Sequence, residues 1–296
     1  MLFVSFVVQK YTMNLTRFHS AHDFGTRAEA FLLEREAHHN LPLGLMASLM
    51  FNPNLYLSQP YFAVVEEAGK TIAAAVMTPP YRLVLSLVED PEALALIAYD
   101  VRRFRPDTPG VTGPVPVSLQ FAEIWQGLTG QSFRKSMAER IYKLEKVNPV
   151  TGVSGKMRRV GEADRVLLLE WVTAFQQEAF GDVDTSTVER TVNNMLTLPP
   201  EFRGTTLWED PHPVSLVSYG GPTPNSVRLG PVYTPPEFRR RGYASACTAA
   251  VSQYLLDSGR KFCTLFTDLT NPTSNHIYQE IGYKPVCDVD EYKFIE

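Results

Sequence analysis

The stretch from residue 227 to residue 245 restricts the fold of this chain more than any other. It reads as an apolar strand at 227–233, a proline-containing loop, and a helix whose apolar residues recur every three or four positions. Gly230-Pro231 interrupts the strand, and because proline cannot donate to a sheet ladder, the pair predicts a bulge or splay that leaves backbone groups unpaired. An irregular strand is therefore expected directly before a helix.

The loop between this strand and this helix has the composition of an anion-binding site. Pro235-Pro236 excludes a helix, and Arg239, Arg240 and Arg241 add positive charge. Gly242 and Ala244 then allow a ligand to approach the backbone closely at the start of the helix. The first turn of a helix carries unpaired N–H groups and the positive end of the helix dipole. This arrangement suits a pyrophosphate group.

The same residues resemble the acetyl-CoA signature of the GNAT acetyltransferase superfamily. Arg239-x-x-Gly242-x-Ala244 matches the family pattern [Arg/Gln]-x-x-Gly-x-[Gly/Ala]. Downstream, residues 271–283 resemble the family element Asn-x-x-[Ala/Ser]-x-x-x-Tyr-x-x-x-Gly-[Phe/Tyr] in the expected order. Without reference to any family, Asn271 as N-cap, Pro272 at the first helical position and Gly282 past the end predict a complete short helix.

This resemblance implies an α/β (α+β) fold of the acyl-CoA N-acyltransferase type. The expected architecture is a mixed, mainly antiparallel twisted sheet with splayed central strands and flanking helices. The residue patterns predict strands at 61–66, 71–77, 81–88, near 111, and at 133–146, 157–160, 205–208, 214–219, 227–233 and 262–267. They predict helices at 26–38, 90–103, 118–128, 162–180, 185–196, 243–257 and 271–282.

The order of strands and helices in the first half is repeated in the second half. We therefore expect a tandem arrangement: a degenerate GNAT-like lobe at 1–147, a linker rich in Pro, Gly and Ser at 148–156, and a GNAT acetyltransferase domain at 157–296. Glu89-Asp90-Pro91-Glu92 begins a helix where the second half has its arginine loop. Carboxylates at that position would repel a pyrophosphate, so the first lobe is expected to be structural or to wall one side of the acceptor site.

The resemblance also implies a role for individual residues. The backbone around Val232 and Tyr233 would pair with the pantetheine arm of acetyl-CoA. The amides from Arg241 to Ser245, including that of Tyr243, would hold the pyrophosphate together with the Ser245 hydroxyl. Asn271 would contact the cofactor arm, whereas Asn275 is either a second cofactor contact or a capping or surface residue.

Tyr278 matches the tyrosine that protonates the departing thiolate in the family. A phenol suits this role because its ordinary pKa of ~10 lies close to that of a thiol. The general base is less well defined, since the strand at 227–233 contains no acid. Asp268 and Glu237 are candidates, deprotonation through water is an alternative, and Asp268 could instead cap the loop before Asn271.

The predicted activity is transfer of an acetyl group from acetyl-CoA to an amine acceptor, by direct attack in a ternary complex without a covalent enzyme intermediate. The acceptor would be a small molecule or a peptide, which the sequence does not name. A thiol or hydroxyl acceptor and a longer acyl group remain open. A different class of function is a non-catalytic acyl-CoA-binding or regulatory protein that keeps the cofactor site.

Composition excludes several other functions. The net charge of -4 argues against a general nucleic-acid binder. Cys247, Cys263 and Cys287 are an odd number at wide spacing, which predicts reduced thiols in a cytoplasmic protein rather than a disulfide framework or metal site. The adjacent His38 and His39 lack a third ligand, so no metal is expected.

Neither a membrane association nor a targeting segment is expected. No stretch approaches the ~20 apolar residues of a membrane span. The apolar run at 1–8 lacks the basic region and small-residue cleavage site of a signal peptide. The oligomeric state stays open, a homo-oligomer being one option.

Overall fold

The computed structural model describes residues 13–56, 58–181 and 183–295. The described residues form two compact units: those of the first lie within the ranges 1–35, 53–136 and 290–296, and those of the second within the ranges 36–52 and 137–289. The apolar run at 1–8, on which the expectation about targeting rests, lies outside the described residues.

The helices and strands follow one another along the chain in a mixed order. They are β1 (Asn14–Phe18), α1 (Ala21–Leu33), α2 (Asn40–Phe51), β2 (Tyr61–Glu67), β3 (Lys70–Met77), β4 (Leu83–Leu85), α3 (Glu92–Phe104), β5 (Gly110–Pro114), α4 (Val117–Thr129), β6 (Ser132–Leu144), β7 (Lys156–Arg159), α5 (Arg165–Phe180), α6 (Thr185–Thr197), β8 (Arg203–Glu209), β9 (Pro213–Gly220), β10 (Ser226–Tyr233), α7 (Tyr243–Asp257), β11 (Phe262–Asp268), α8 (Pro272–Ile281) and β12 (Lys284–Ile295).

The first unit is a mainly antiparallel sheet with helices packed against it. Its strand order is β1-β2-β3-β4-β5 followed by the C-terminal part of β12. The pair β4 and β5 is parallel, whereas β1, β2, β3 and β4 pair in antiparallel fashion. Its core is built from the apolar residues of β2 and β3 with those of α3 and α4, and Trp125 and Phe121 are fully buried there.

The second unit repeats this plan and contains the predicted cofactor motifs. Its strand order is β6-β11-β10-β9-β8-β7, with only β10 and β11 parallel. One core cluster includes apolar side chains of α7 and α8. A second cluster joins α5 and α6 to β8, β9 and the last residue of β10. The predicted mixed, mainly antiparallel α/β class is confirmed.

The segment at 36–52 belongs to the second unit although it lies near the start of the chain. The Glu36 carboxylate accepts hydrogen bonds from the Thr223 hydroxyl, from the Asn225 amide N–H at 2.9 Å and from Asn225 Nδ2 at 2.7 Å. A Cβ added to Gly44 would lie only 2.7 Å from the carbonyl oxygen of Gly221. The start of β10 is therefore held by residues from the far end of the sequence.

Some predicted elements differ from those observed. The helix expected at 26–38 exists but with other bounds: α1 begins earlier because the Ser20 hydroxyl accepts from the Asp23 amide, and residues 34–39 form turns before α2. The strands β1 and β12 and the helix α2 were not predicted. Gly44 and Pro42 weaken the helical signal of α2, and its mainly apolar composition gives no periodic polar face.

The division into a first lobe ending at residue 147 and a linker ending at residue 156 stays a prediction. The segment expected to be a linker packs within the second unit. The Asn148 amide donates to the Ile281 carbonyl at 2.7 Å, and Trp208 Nε1 donates to the Ser154 carbonyl at 2.8 Å. Val150 and Val153 contact the same core cluster as α7.

Candidate active site

The splay predicted in β10 is present. The parallel ladder between β10 and β11 ends at the pair Leu229 and Leu265. On the other side, the register with β9 shifts between Leu229 and Val232, which is the bulge predicted from Gly230-Pro231. Val232 and Tyr233 keep partners on β9 but have no ladder partner on β11. The main-chain groups of Val232 and Tyr233 on the side of β11 are therefore available to a ligand.

Next along the chain, the start of α7 is open to an anion. Gly242 is the N-cap residue with φ of +79°, and it has no side chain to cap the helix. The first main-chain hydrogen bond joins the Ala246 amide to the Gly242 carbonyl at 2.9 Å. The amides of residues 243–245 therefore point out of the helix N-terminus, where the dipole is positive. These features fit a diphosphate ligand.

The side chains of the predicted arginines are used in different ways. Arg239 donates from Nε to the Thr234 carbonyl at 2.8 Å and from one terminal nitrogen to both carboxylate oxygens of Glu178 at 2.8 and 2.7 Å. Arg240 is exposed and adopts a left-handed conformation with φ of +62°. Arg241 is also exposed and lies beside the Tyr243 phenol.

The buried side chain of Tyr243 contacts the turn between β8 and β9. Its hydroxyl donates to the Asp210 carboxylate at 2.7 Å, and this hydrogen bond raises the pKa of Tyr243. Ser154 donates to the same carboxylate oxygen at 2.5 Å. Asp210 therefore fastens the start of α7 to the loop before β7. The sequence contained no signal for this role.

The start of α8 confirms one predicted cap and gives Asn275 a structural role. Asn271 is the N-cap, and its Oδ1 accepts from the Ser274 amide at 3.0 Å. Asn275 Nδ2 donates to the carbonyls of Asp268 and Asn271, each at 2.8 Å, while its Oδ1 accepts from the Tyr142 hydroxyl at 2.9 Å. Because these bonds use both donors of the Asn275 amide, they leave it no N–H for a cofactor.

Tyr278 lies in the core cluster of α7 and α8 with a small exposed fraction of 8%. Its ring meets that of Tyr283 edge to face, with centroids 6.0 Å apart. Burial raises the pKa of Tyr278 to about 12. Its hydroxyl makes no hydrogen bond to another residue within the described part of the chain. The phenol is therefore held neutral, with its proton uncommitted.

Neither candidate base lies on the splayed strand. Asp268 is the last residue of β11, and its Oδ1 accepts from the Thr270 amide at 2.7 Å and from the Thr270 hydroxyl at 2.8 Å. These bonds form the turn before α8, which is the capping alternative considered for this residue. Glu237 is exposed in a short turn of 3-10 helix.

The first unit has carboxylates at the start of α3, as predicted. Asp90 Oδ1 accepts from the Glu92 amide at 2.9 Å, so a side chain already caps this helix. Glu89 pairs with Lys70 at 2.9 Å. The α3 N-terminus therefore differs from that of α7 in two ways: it is surrounded by negative charge, and its first amide is already bound by a side chain.

Two kinds of site are absent from the described residues. At 13–56, 58–181 and 183–295, no three His, Cys, Asp or Glu side chains are grouped so that they could hold a metal ion. In the same ranges, no helix has the length and apolar character needed to cross a bilayer.

Comparison with known proteins gives one match in sequence and many in structure. Residues 222–293 match the family described as FR47-like protein, which is related to the GNAT acetyltransferases. The matched range includes both predicted motifs. No curated protein matches the chain.

The solved structures that resemble the chain cover nearly its whole length. A Drosophila protein aligns with a TM-score of 0.69 at 13% identity, covering 95% of this chain and 98% of that one. A GCN5-related N-acetyltransferase from Sphaerobacter thermophilus has a TM-score of 0.62 at 19% identity, with coverage of 95% and 96%. A tandem GNAT protein from the clavulanic acid biosynthesis pathway has a TM-score of 0.60 at 15% identity, with coverage of 96% and 98%. The resemblance expected from the motifs is confirmed: residues 222–293 match a GNAT-related family in sequence, and almost the entire chain has the GNAT fold.

Proposed function

We propose that the second unit is an acetyltransferase that moves an acetyl group from acetyl-CoA to an amine acceptor. The observation that carries this proposal is the uncapped start of α7 directly after the splayed end of β10. One of these features fits a diphosphate and the other fits an extended amide-containing chain, and acetyl-CoA contains both groups. The similarity in fold to the GCN5-related N-acetyltransferase of Sphaerobacter thermophilus supports the reaction class.

Main-chain groups would provide most of the cofactor binding. The amides of Tyr243, Ala244 and Ser245 would hold the pyrophosphate, with the half-buried Ser245 hydroxyl beside them. The main chain of Val232 and Tyr233 would pair with the pantetheine arm as an added strand. Asn271 would contribute through its side-chain nitrogen, since its oxygen caps α8. When bound, acetyl-CoA supplies an acetyl group already activated as a thioester.

Tyr278 would act on the sulfur that leaves. Its pKa of about 12 keeps a proton on the phenol oxygen, but it also widens the gap from an ordinary thiol at ~8.5. Full transfer of this proton to sulfur is then uphill. Donation of a hydrogen bond to the negative charge developing on sulfur needs no transfer and is stronger in a buried site. We therefore assign Tyr278 the role of hydrogen-bond donor, which modifies the role expected from the unperturbed phenol.

The acceptor nitrogen must be neutral before it attacks. Because Asp268 is occupied by its turn and β10 carries no acid, no described carboxylate on these elements is an obvious base. An amine of low pKa, or loss of the proton to water, satisfies this requirement. The rate should then rise with pH through the pKa of the acceptor amine. Small molecules and peptides both remain acceptor classes.

The first unit would be a degenerate lobe that does not bind coenzyme A. The Asp90 carboxylate occupies the amide of Glu92 at the start of α3, where the second unit has open amides. A diphosphate would have to displace this cap and lie beside Glu89. A tandem GNAT protein among the similar structures supports the interpretation as two lobes.

A non-catalytic acyl-CoA-binding protein is the second candidate. The observation in its favour is that β10 carries no acid and Asp268 is used in a turn. The buried Tyr278, whose proton is not used in the fold, argues against it, since a purely regulatory site has no need of this group.

The first experiment is calorimetry of acetyl-CoA binding, followed by an assay of CoA release across a panel of amines. Ala244→Glu places a carboxylate in the first turn of α7 and should abolish binding. Gln253→Glu adds the same charge on the exposed surface farther along the same helix and is the matched control. Binding with release supports the transferase, and binding without release on any amine supports the second candidate. A wild type that does not bind contradicts both.

A further inference from the structure

The signature arginine Arg239 is bound on two sides by the protein itself. Its guanidinium donates to the Thr234 carbonyl at 2.8 Å and to the Glu178 carboxylate at 2.8 and 2.7 Å. The same guanidinium lies 6.0 Å from the centroid of the Tyr233 ring. These contacts orient the side chain toward α5 and the end of β10. The motif by itself gave no reason to expect a carboxylate partner.

Glu178 in turn is an exposed residue of α5 that lies next to packed aromatic side chains. Trp171 and Phe175, on the same helix, contact the Tyr233 ring edge to face with centroids 6.1 and 6.5 Å apart. The Tyr233 hydroxyl lies 3.5 Å from Glu178 Oε1. Glu178 therefore joins three elements: the last turn of α5, the end of the splayed strand, and the loop that leads to α7.

The neighbouring arginines differ from Arg239. In the described part of the chain, the exposed Arg240 has no hydrogen bond or ion pair. Arg241 faces the phenol of Tyr243 and is also exposed. Positive charge is thus available to a diphosphate from Arg240 and Arg241, whereas Arg239 is held by a carboxylate.

We propose that Glu178 is a positioning residue for cofactor binding: by holding Arg239 it sets the loop so that the α7 amides face the diphosphate, and Arg239 does not bind phosphate itself. This inference rests on the proposed acetyl-CoA site. In this proposal Arg239 fixes the conformation of the loop, whereas Arg240 and Arg241 provide the positive charge that attracts the diphosphate.

The two possible roles of Arg239 predict opposite changes in acetyl-CoA affinity for the variant Glu178→Gln. If Arg239 binds phosphate, Glu178→Gln removes a competing negative charge near a polyanion, and acetyl-CoA should bind more tightly. If Glu178 positions the loop, the same change loosens Arg239, and acetyl-CoA should bind more weakly. Measured exposed ion pairs suggest a loss of about 2- to 5-fold.

The experiment measures the Kd of acetyl-CoA by calorimetry and the hydrogen exchange of the unliganded loop at 234–245. Glu178→Gln is compared with Glu170→Gln, which removes the same charge from an exposed position on the same helix. We expect weaker binding and faster loop exchange only in Glu178→Gln. Arg239→Lys keeps the charge but loses the paired bonds, and it should resemble Glu178→Gln.

The double variant Glu178→Gln with Arg239→Gln completes the test. If both residues act through one contact, it should bind no more weakly than Arg239→Gln alone. Tighter or unchanged binding in Glu178→Gln, with a loss in Arg239→Gln, would overturn the proposal and make Arg239 a phosphate ligand. A wild type that does not bind acetyl-CoA contradicts the proposed function, and the proposal falls with it, while unchanged loop exchange in Glu178→Gln contradicts the positioning role alone.

Discussion

Gly242 and Val153 are in contact, so that a Cβ added to Gly242 would lie 2.8 Å from Val153 Cγ2. The motif glycine was expected for the access it gives a phosphate. The structure adds two further reasons for glycine, namely the φ of +79° and the closeness of the loop before β7. Substitutions of Gly242 therefore test the fold as well as the cofactor site.

Gly242→Ala should destabilise the protein more than a substitution at a glycine that has a positive φ but no neighbour close to an added Cβ. Gly259 is the matched control because its φ is +97° and nothing lies within 4 Å of an added Cβ. We expect Gly259→Ala to lose about 1 kcal/mol and Gly242→Ala to lose more, measured by urea unfolding. Adding Val153→Ala to Gly242→Ala should recover part of the difference. Equal losses in the two alanine variants would contradict the steric role of Val153.

Tyr278→Phe should lower turnover by about 100-fold, because it removes the proposed hydrogen-bond donor to the leaving sulfur. Acetyl-CoA affinity should change by less than about 2-fold, because the main chain provides most of the predicted binding. Tyr283→Phe is the control: its hydroxyl pairs with Ser252 Oγ at 2.9 Å, so stability rather than turnover should fall. Equal losses of affinity and turnover in Tyr278→Phe would contradict the division of roles.

The pH dependence of turnover gives a second test of Tyr278. Because burial raises its pKa to about 12, the phenol keeps its proton through the neutral and moderately alkaline range. The wild-type kcat should therefore show no alkaline decrease due to Tyr278 below about pH 11. A decrease near pH 10 that is absent from Tyr278→Phe would mean that the phenol titrates as an exposed tyrosine does.

Asn275→Ala should destabilise the protein rather than weaken cofactor binding. It removes the hydrogen bonds to Asp268, Asn271 and Tyr142, for which we expect a loss of about 2 kcal/mol in the free energy of unfolding. His276→Ala, at the next and exposed position, should cost less than about 0.5 kcal/mol. A weaker acetyl-CoA affinity in Asn275→Ala without any loss of stability would restore the cofactor role assigned from the sequence.

The free energy of unfolding should fall steeply at alkaline pH because two cysteine thiols are buried. Burial raises the pKa of Cys247 and of Cys263 to about 12, from an ordinary value of 9.0. Above pH 9 the unfolded chain releases these protons while the folded protein retains them, so unfolding is favoured by about 1.4 kcal/mol per pH unit for each thiol. Cys247→Ala should flatten the fall between pH 9 and 11, measured by urea unfolding at each pH. An unchanged slope would contradict the burial argument.

The features that could be read from the sequence depend on neighbouring residues. Asn271 and Gly282 mark the ends of α8 because N-caps and left-handed C-caps act over one turn, and both are found in these roles. Gly230-Pro231 predicts the bulge for the same reason, since the missing donor is a property of proline itself. The fold class followed from the family resemblance that the two motifs carry.

The partners of the site residues were decided by packing between distant parts of the chain. The sequence left Asn275 open as a cofactor contact, a cap or a surface residue, and only the structure shows its partners Tyr142 and the Asp268 carbonyl. Arg239 belongs to the signature in the sequence, but its partner Glu178 lies on another helix. A hydrogen-bonding side chain can serve many partners, and its own sequence neighbourhood does not select among them. That selection is made when α5 and α8 pack against the sheet that contains β6 and β10, which only the tertiary structure determines.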